Sequence, residues 1–261
     1  MGVYKKFYHE VKDNFDLIRY LTVFDLKTNV SRTYLGFLWW ILDPLLYMSI
    51  FYILVHVILG RGGPDYPIIL FTALIPLKWT TSCLVDGTSS ISGKGRIIKQ
   101  IYVPKIVFII VRLLVNTVKF SISSVVLVLF LYFYGVEVGI TYLYFPLIIL
   151  VQAFVIFPFM ILFAHLGIYI KDVKNMMQYI ARILMYISPV LFTLDTVPKH
   201  LVDYFYINPL TTFIESYRNI LIHGDAPLWT PMFLIVVFSV ILLNVSLHLL
   251  FKYENQYAKV M

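Results

Sequence analysis

Charge is what this 261-residue chain has least of. Only 13% of it is Asp, Glu, Lys or Arg, about half the roughly 25% of an average globular domain. Cysteine is almost missing too: Cys83 stands alone, which excludes an internal disulfide. The signatures of catalysis are absent as well. His9, His56, His165, His200, His223 and His248 are scattered without a paired metal-ligand spacing. Cys83 has no neighbouring histidine, and no Gly-x-Ser-x-Gly elbow occurs. Asp195 and Asp203, eight apart, are weak grounds for acid–base chemistry. The first twenty residues, MGVYKKFYHEVKDNFDLIRY, are too charged for the apolar centre of a cleavable signal. Lys6 stands where a myristoylation pattern requires Ser or Thr.

Apolar residues, in contrast, make up 60% of the chain and come in long unbroken runs. About 20 consecutive apolar residues are what a bilayer crossing needs. Six such spans are expected, near 36–59, 67–91, 106–134, 143–170, 176–194 and 230–251. The fold class that follows is an all-α polytopic membrane protein. A cytoplasmic interfacial segment, 1–33, precedes a six-helix transmembrane domain, 34–261. Within 3–20, Val3, Phe7, Val11, Phe15 and Ile18 fall on one helical face, the pattern of an amphipathic helix lying in the interface plane. The outer segment 195–229 carries Phe213, Ile214, Tyr217, Ile220 and Leu221 at helical spacing after a proline-broken start. That pattern predicts a re-entrant element dipping in from outside. No internal repeat is evident, so the pseudo-symmetric halves of many secondary transporters are not supported.

The formal charge of +7 is a topology signal rather than a nucleic-acid one. Residues 1–33, 92–105, 171–182 and 252–261 hold 6, 4, 3 and 2 Lys or Arg, fifteen in all. The opposite side holds three, Arg61, Lys199 and Arg218. Both termini are therefore expected in the cytoplasm. No compact basic face for nucleic acid is present.

Charges inside the membrane are expensive and are functional suspects by default. In the third span Lys105, Arg112, Asn116, Lys119 and Ser123 form one polar stripe. Arg112 and Lys119 lie about 10 and 20 Å inward of Lys105 by helical rise. Two roles stay open: Asp43 or Asp86 pairs with Arg112 to lock the bundle, or Lys78 and Lys119 meet an anionic substrate. The chain also has 20 Tyr, 21 Phe and 4 Trp. Trp39, Trp40 and Trp79 suit interfacial belts, and aromatic faces also suit sugar rings sliding without tight capture.

One stretch imitates a nucleotide site. GTSSISGKG, 87–95, has five residues between Gly87 and Gly93 where a Walker A loop has four, and Gly95 where Ser or Thr should follow Lys94. It also follows a membrane helix rather than a buried strand. An ATP site in this chain is not expected.

Several ordered stretches together resemble the permeases of ABC-2 type exporters. YLTVFDLKTNVSRTYLGFLWWILDPLL, 20–46, is similar to the approach to their first span, and LIPLKW, 74–79, to their second. GRIIKQIYVPK, 95–105, is similar to their cytoplasmic loop. YIKDVKNMMQYIARILMYISPVLF, 169–192, resembles the fourth loop and fifth span, with Lys171 in place of the usual Arg. YINPLTTFIESYR, 206–218, resembles the outer-helix motif. The likeness covers nearly the whole chain and is greatest to the polysaccharide branch: wall teichoic acid, O-antigen and capsule permeases, with wall teichoic acid favoured.

The resemblance implies a homodimeric permease in the bacterial cytoplasmic membrane with no cofactor of its own. ATP and Mg would be handled by a separate ABC nucleotide-binding ATPase subunit. A lipid-diphosphate-linked polymer would be the cargo. Arg96, Ile97, Lys99, Gln100, Tyr102, Pro104, Lys105, Lys171 and Asp172 would contact the ATPase. Trp39, Trp40, Lys78, Arg112, Asn116 and Lys119 would line the substrate path, with Asp43, Asp86 and Arg112 as structural charges. An exporter of drugs or other small molecules and a polytopic enzyme of lipid-linked glycan assembly are the alternatives.

Overall fold

The computed structural model describes residues 2–260, and every regular element among them is helical. Two short helices, α1 (Val3–Asp13) and α2 (Phe15–Ser31), lead into α3 (Trp39–Tyr52), which a π-helical segment, Ile53–Ile58, extends. Then follow α4 (Tyr66–Thr88), α5 (Gly95–Gln100), α6 (Lys105–Tyr134) and α7 (Phe145–Tyr169). The last four are α8 (Val173–Ile187), α9 (Lys199–Phe205), α10 (Pro209–Arg218) and α11 (Trp229–Val260).

Five helical stretches are long and apolar enough to cross a membrane: Gly36–Ile58, Tyr66–Thr88, Lys105–Tyr134, Ile140–Tyr169 and Trp229–Tyr257. They match five of the six expected spans closely, though the last helix runs on past the expected end at 251. The sixth, 176–194, corresponds to α8, whose 15 residues make only about 22 Å of helix. It ends at Ser188, just before Pro189.

α4 is the axis of the molecule. Two thirds of its apolar window (67%) is buried, against 6% for the stretch containing α3. Phe71, Ile75, Trp79 and Cys83 join one core with α6 and α7, while Tyr66, Leu70 and Leu74 join a second with Val190, Leu210 and Ile214. Two glycines set its C-terminal end. A Cβ on Gly167 of α7 would collide with the Thr88 carbonyl oxygen, and one on Gly87 would press against Met160 at 3.2 Å. Buried Gln152 of α7 ties three helices at mid-depth: its Nε2 donates to Thr80 Oγ1 (2.9 Å) and Pro76 O (3.2 Å), and its Oε1 accepts from Tyr217 of α10 (2.9 Å). Buried polar groups need such partners.

α8 runs along α4 in the opposite direction. Val173 and Met177 pack beside Leu84, and Val190, just past the helix end, packs beside Tyr66 and Leu70. Asn208 Nδ2 donates to Ser188 Oγ (2.8 Å), and Asn208 Oδ1 caps α10. From that deep start α10 returns until Arg218 meets the Ile69 and Phe192 carbonyls, and Thr141 donates to Ile220 O. Arg218 is only 1% exposed and pairs with Glu215 (2.7 Å). The sequence count placed it on the side opposite the termini without assigning it a partner; the structure buries it because the apolar face of α10 packs into the bundle.

The amphipathic N-terminus also departs from a single helix. Asn14, with its side chain donating to Glu10 O (2.8 Å), separates α1 from α2. Phe15 consequently points outward, while Val3, Phe7, Val11 and Ile18 pack on the core.

Candidate functional site

A cleft of about 730 Å³ opens between α3, α4, α6 and α8. Trp39, Trp40 and Asp43 line it from α3, Lys78, Trp79 and Asp86 from α4, and Asn116, Lys119 and Ser123 from α6; α8 adds Gln178 and Arg182. Five of the six residues expected on a substrate path converge here. Helical spacing makes this possible: 78, 82 and 85 share one face of α4, and 116, 119, 120 and 123 share one face of α6.

The polar groups in the cleft are organised. Lys78 forms an ion pair with Asp43 and lies 3.8 Å from the Tyr47 ring centroid. Asn116 Nδ2 donates to Asp86 Oδ2 at 3.0 Å. Ser123 Oγ donates to the Trp40 carbonyl at 2.9 Å, fastening α6 to the start of α3. Trp79 stacks on Phe120 with centroids 4.2 Å apart. Among the described residues, Lys119 and Arg182 have no carboxylate within 4 Å. Two unpaired cations beside indole faces suit a cargo that is anionic at one point and ring-like along its length.

The charge pairs differ from those expected. Arg112 joins neither Asp43 nor Asp86; its Nη1 lies 3.3 Å from Asp25 Oδ2 on α2. Asp43 is taken by Lys78, and Asp86 by Asn116. Arg112 points to the α2 side of α6, away from the cleft lining. Asp25 was missed in the sequence, although Ile18, Thr22 and Asp25 share one α2 face and are all buried. Arg182 was counted from the sequence only among the basic residues of 171–182 and not assigned to the path.

The residues expected to meet an ATPase fall into two neighbouring places at the end of the bundle that holds the 92–105 loop. Arg96, Ile97, Lys99 and Lys171 line a cavity of about 810 Å³ together with Lys94 and Lys174, and among the described residues no carboxylate lines it. Gln100, Tyr102 and Lys105 lie with Lys99 and Glu254 around a smaller one of about 270 Å³. Ile97, Ile101 and Tyr102 are exposed, whereas Ile98 and Val103 turn into the core, so three of the five apolar side chains here are free to meet a partner. Pro104 immediately precedes α6, and Asp172 immediately precedes α8.

Lys105 departs from expectation. It is 4% exposed, and its ammonium folds back onto the Val103 carbonyl at 2.9 Å. Its backbone N–H donates to Glu254 Oε1, and Lys6 donates to Glu254 Oε2, both at 3.1 Å. α1, the 92–105 loop and the end of α11 therefore share one end of the molecule. Burial opposes the Lys6 ammonium, but the hydrogen bond and charge of Glu254 outweigh it and raise its pKa. Glu10 beside it is pushed up by burial and by the negative charge of Glu254.

Among known proteins, the O-antigen export system permease protein RfbA of Klebsiella pneumoniae is 26% identical over 248 residues, covering 95% of each chain. RfbA of Myxococcus xanthus is 24% identical over 84% of this chain and 85% of that protein. The polysialic acid transport protein KpsM of Escherichia coli is 24% identical over 86% of this chain and 88% of its own length. Residues 17–222 match the ABC-2 type transporter family. That region takes in nearly all of α2 and every element through α10, and with them the residues that line the cleft. The chain belongs to the ABC-2 type transporter family, as a membrane permease.

Proposed function

We infer that this chain is the permease of an ATP-driven exporter that moves a lipid-diphosphate-linked cell-surface polysaccharide across the bacterial cytoplasmic membrane, with wall teichoic acid the first cargo to test. The cleft carries this reading: Trp39, Trp40, Lys78, Asn116, Lys119 and Arg182 face one space from four helices. Relatives named for O-antigen and polysialic acid transport support a polymer over a small drug.

The permease acts as two copies. α3 is almost unburied in one chain, and Met176, Tyr179, Ile183 and Tyr186 leave one side of α8 bare. Those two helices flank the cleft, so a second copy set against them closes it. Six crossings are proposed, with α8 and the residues up to Val190 as the fifth. Contacts from Leu84 to Tyr66 take that segment along about 27 Å of α4, close to the roughly 30 Å of a bilayer core. α9 and α10 form the re-entrant element, supported by the deep position of Asn208 and the return to Arg218. The shared end of α1, the 92–105 loop and α11 supports cytoplasmic termini on one side.

In the working cycle a separate ATPase subunit binds against the exposed Ile97, Ile101 and Tyr102 and the basic cavity. Nucleotide drives the change only through different affinities for the two permease conformations. The cationic cleft neutralises the diphosphate while the sugar chain slides past the aromatic faces.

The experiment is transport of labelled lipid-linked polymer in proteoliposomes, with the permease alone and with its cognate ATPase. Movement is expected only with the ATPase and ATP. Movement by the permease alone, or labelling of residues 92–105 from outside intact cells, overturns the reading.

A further inference from the structure

Lys94, the lysine of the loop-like 87–95 stretch, is not free to meet a phosphate. Its Nζ lies 3.6 Å from Asp25 Oδ1, and Arg112 Nη1 lies 3.3 Å from Oδ2 of the same carboxylate. Asp25 is 8% exposed. One buried anion thus joins three pieces of chain: α2, the turn into α5, and α6 about 10 Å from its inner end.

We propose that Asp25 is the transmission joint of the permease, a positioning residue whose carboxylate ties the Lys94 turn to Arg112 so that displacement of the cytoplasmic loop moves the walls of the cleft. The direction of that motion rests on the proposed ATP-driven export. Both walls are within reach of the joint. Arg112 lies one helical turn before Asn116 and two before Lys119, so a shift of α6 carries both cleft residues with it. α2 itself continues through residues 32–38 into Trp39, Trp40 and Asp43 of α3. On the motor side, Lys94 directly precedes Gly95, the first residue of α5, and lines the basic cavity with Arg96 and Lys99.

The geometry suits a joint rather than a fixed lock. Two cations share one carboxylate, so the cluster carries a surplus positive charge and its members repel each other. Lys94 makes the longer contact and belongs to the loop, whereas Arg112 is closer and anchored on a long helix. Lys94 is the contact that yields first. A contact that can break and re-form is the kind of discrete element through which coupling between distant sites travels.

The test uses the full permease with its ATPase in lipid nanodiscs for distances and in proteoliposomes for export. Spin labels are placed at Gly93, exposed with nothing within 4 Å of an added Cβ, and at exposed Val125, with native Cys83 buried. Wild type is expected to give one narrow distance distribution in each nucleotide state. Asp25→Asn and Lys94→Gln should broaden it and cut polymer exported per ATP about tenfold, with complex recovery unchanged. Asp25→Glu should restore part of the ratio. Lys94→Gln keeps the Asp25–Arg112 pair, so it decides the question even if Asp25→Asn folds poorly. A narrow distribution with a wild-type export ratio in Lys94→Gln overturns the joint. So does a variant that loses ATPase and export in equal proportion. If wild type itself shows no ATP-dependent export, the exporter reading fails, and the label distances alone then decide whether the joint exists.

Discussion

Lys119 illustrates how much a single side chain contributes to the cleft. It faces the space with no carboxylate within 4 Å among the described residues, unlike Lys78, which Asp43 neutralises. Lys119→Gln keeps length and polarity and removes only the charge. Export of an anionic lipid-linked polymer is expected to fall about tenfold, the scale of one lost charge-assisted contact, with dimer recovery and melting temperature unchanged. Unaltered export would remove Lys119 from the path. Glu10 gives the opposite kind of test. Its pKa is raised above 4.5 by burial and the neighbouring Glu254, so the native state binds that proton more tightly than the unfolded chain. Its ionisation therefore costs stability as pH rises through the folded value. Glu10→Gln should raise the melting temperature by about 1–2 °C at neutral pH, and the gain should vanish in acid, where wild-type Glu10 is itself neutral. Lys6 has a linkage of the same sign at a much higher pH: its pKa is raised too, so the contact with Glu254 is lost only as pH climbs beyond the ordinary lysine range.

At the scale of elements, the crossing of α4 and α7 depends on the absence of a side chain. Gly167 has no room for a Cβ against the Thr88 carbonyl, which is backbone and cannot swing away. Gly167→Ala is expected to cost about 1–3 kcal/mol and to lower the melting temperature in detergent, while Gly93→Ala, with nothing within 4 Å, should be neutral. The long helices were legible in the sequence because apolar runs of bilayer length seldom occur outside membrane-crossing helices. α8 was not read correctly at its end, because hydropathy continues through Ser188 and Pro189 into Leu191 and Phe192 while the helix stops. The split between α1 and α2 was equally hidden: Asn14 breaks the face only through a side-chain bond to its own preceding turn.

For the whole molecule, the sequence located the cleft residues but not their partners. Trp39, Trp40, Lys78, Asn116 and Lys119 could be grouped by resemblance and by their depth in the spans. That Arg112 would turn to Asp25, and Arg182 would enter from α8, depends on helix rotation and neighbour order, which single-chain periodicity does not encode. Arg218, counted from the sequence on the side opposite the termini, lies buried at the end of the apolar face of α10, held by Glu215 and two carbonyls.

The weak attachment of α3 reaches beyond the protein itself. The stretch Gly36–Ile58 has 23 residues with only 6% of its apolar window covered. As a helix it is about 34 Å long, slightly more than the roughly 30 Å of hydrocarbon it must match. Where the proposed second copy leaves it open to lipid, such a rod leans to fit the bilayer, and its foot carries Trp39, Trp40 and Asp43. Acyl-chain length should accordingly tune throughput: nanodiscs of short- and long-chain lipids are expected to give different export rates at the same ATPase activity. The bilayer would then serve as a third wall whose thickness adjusts the gap.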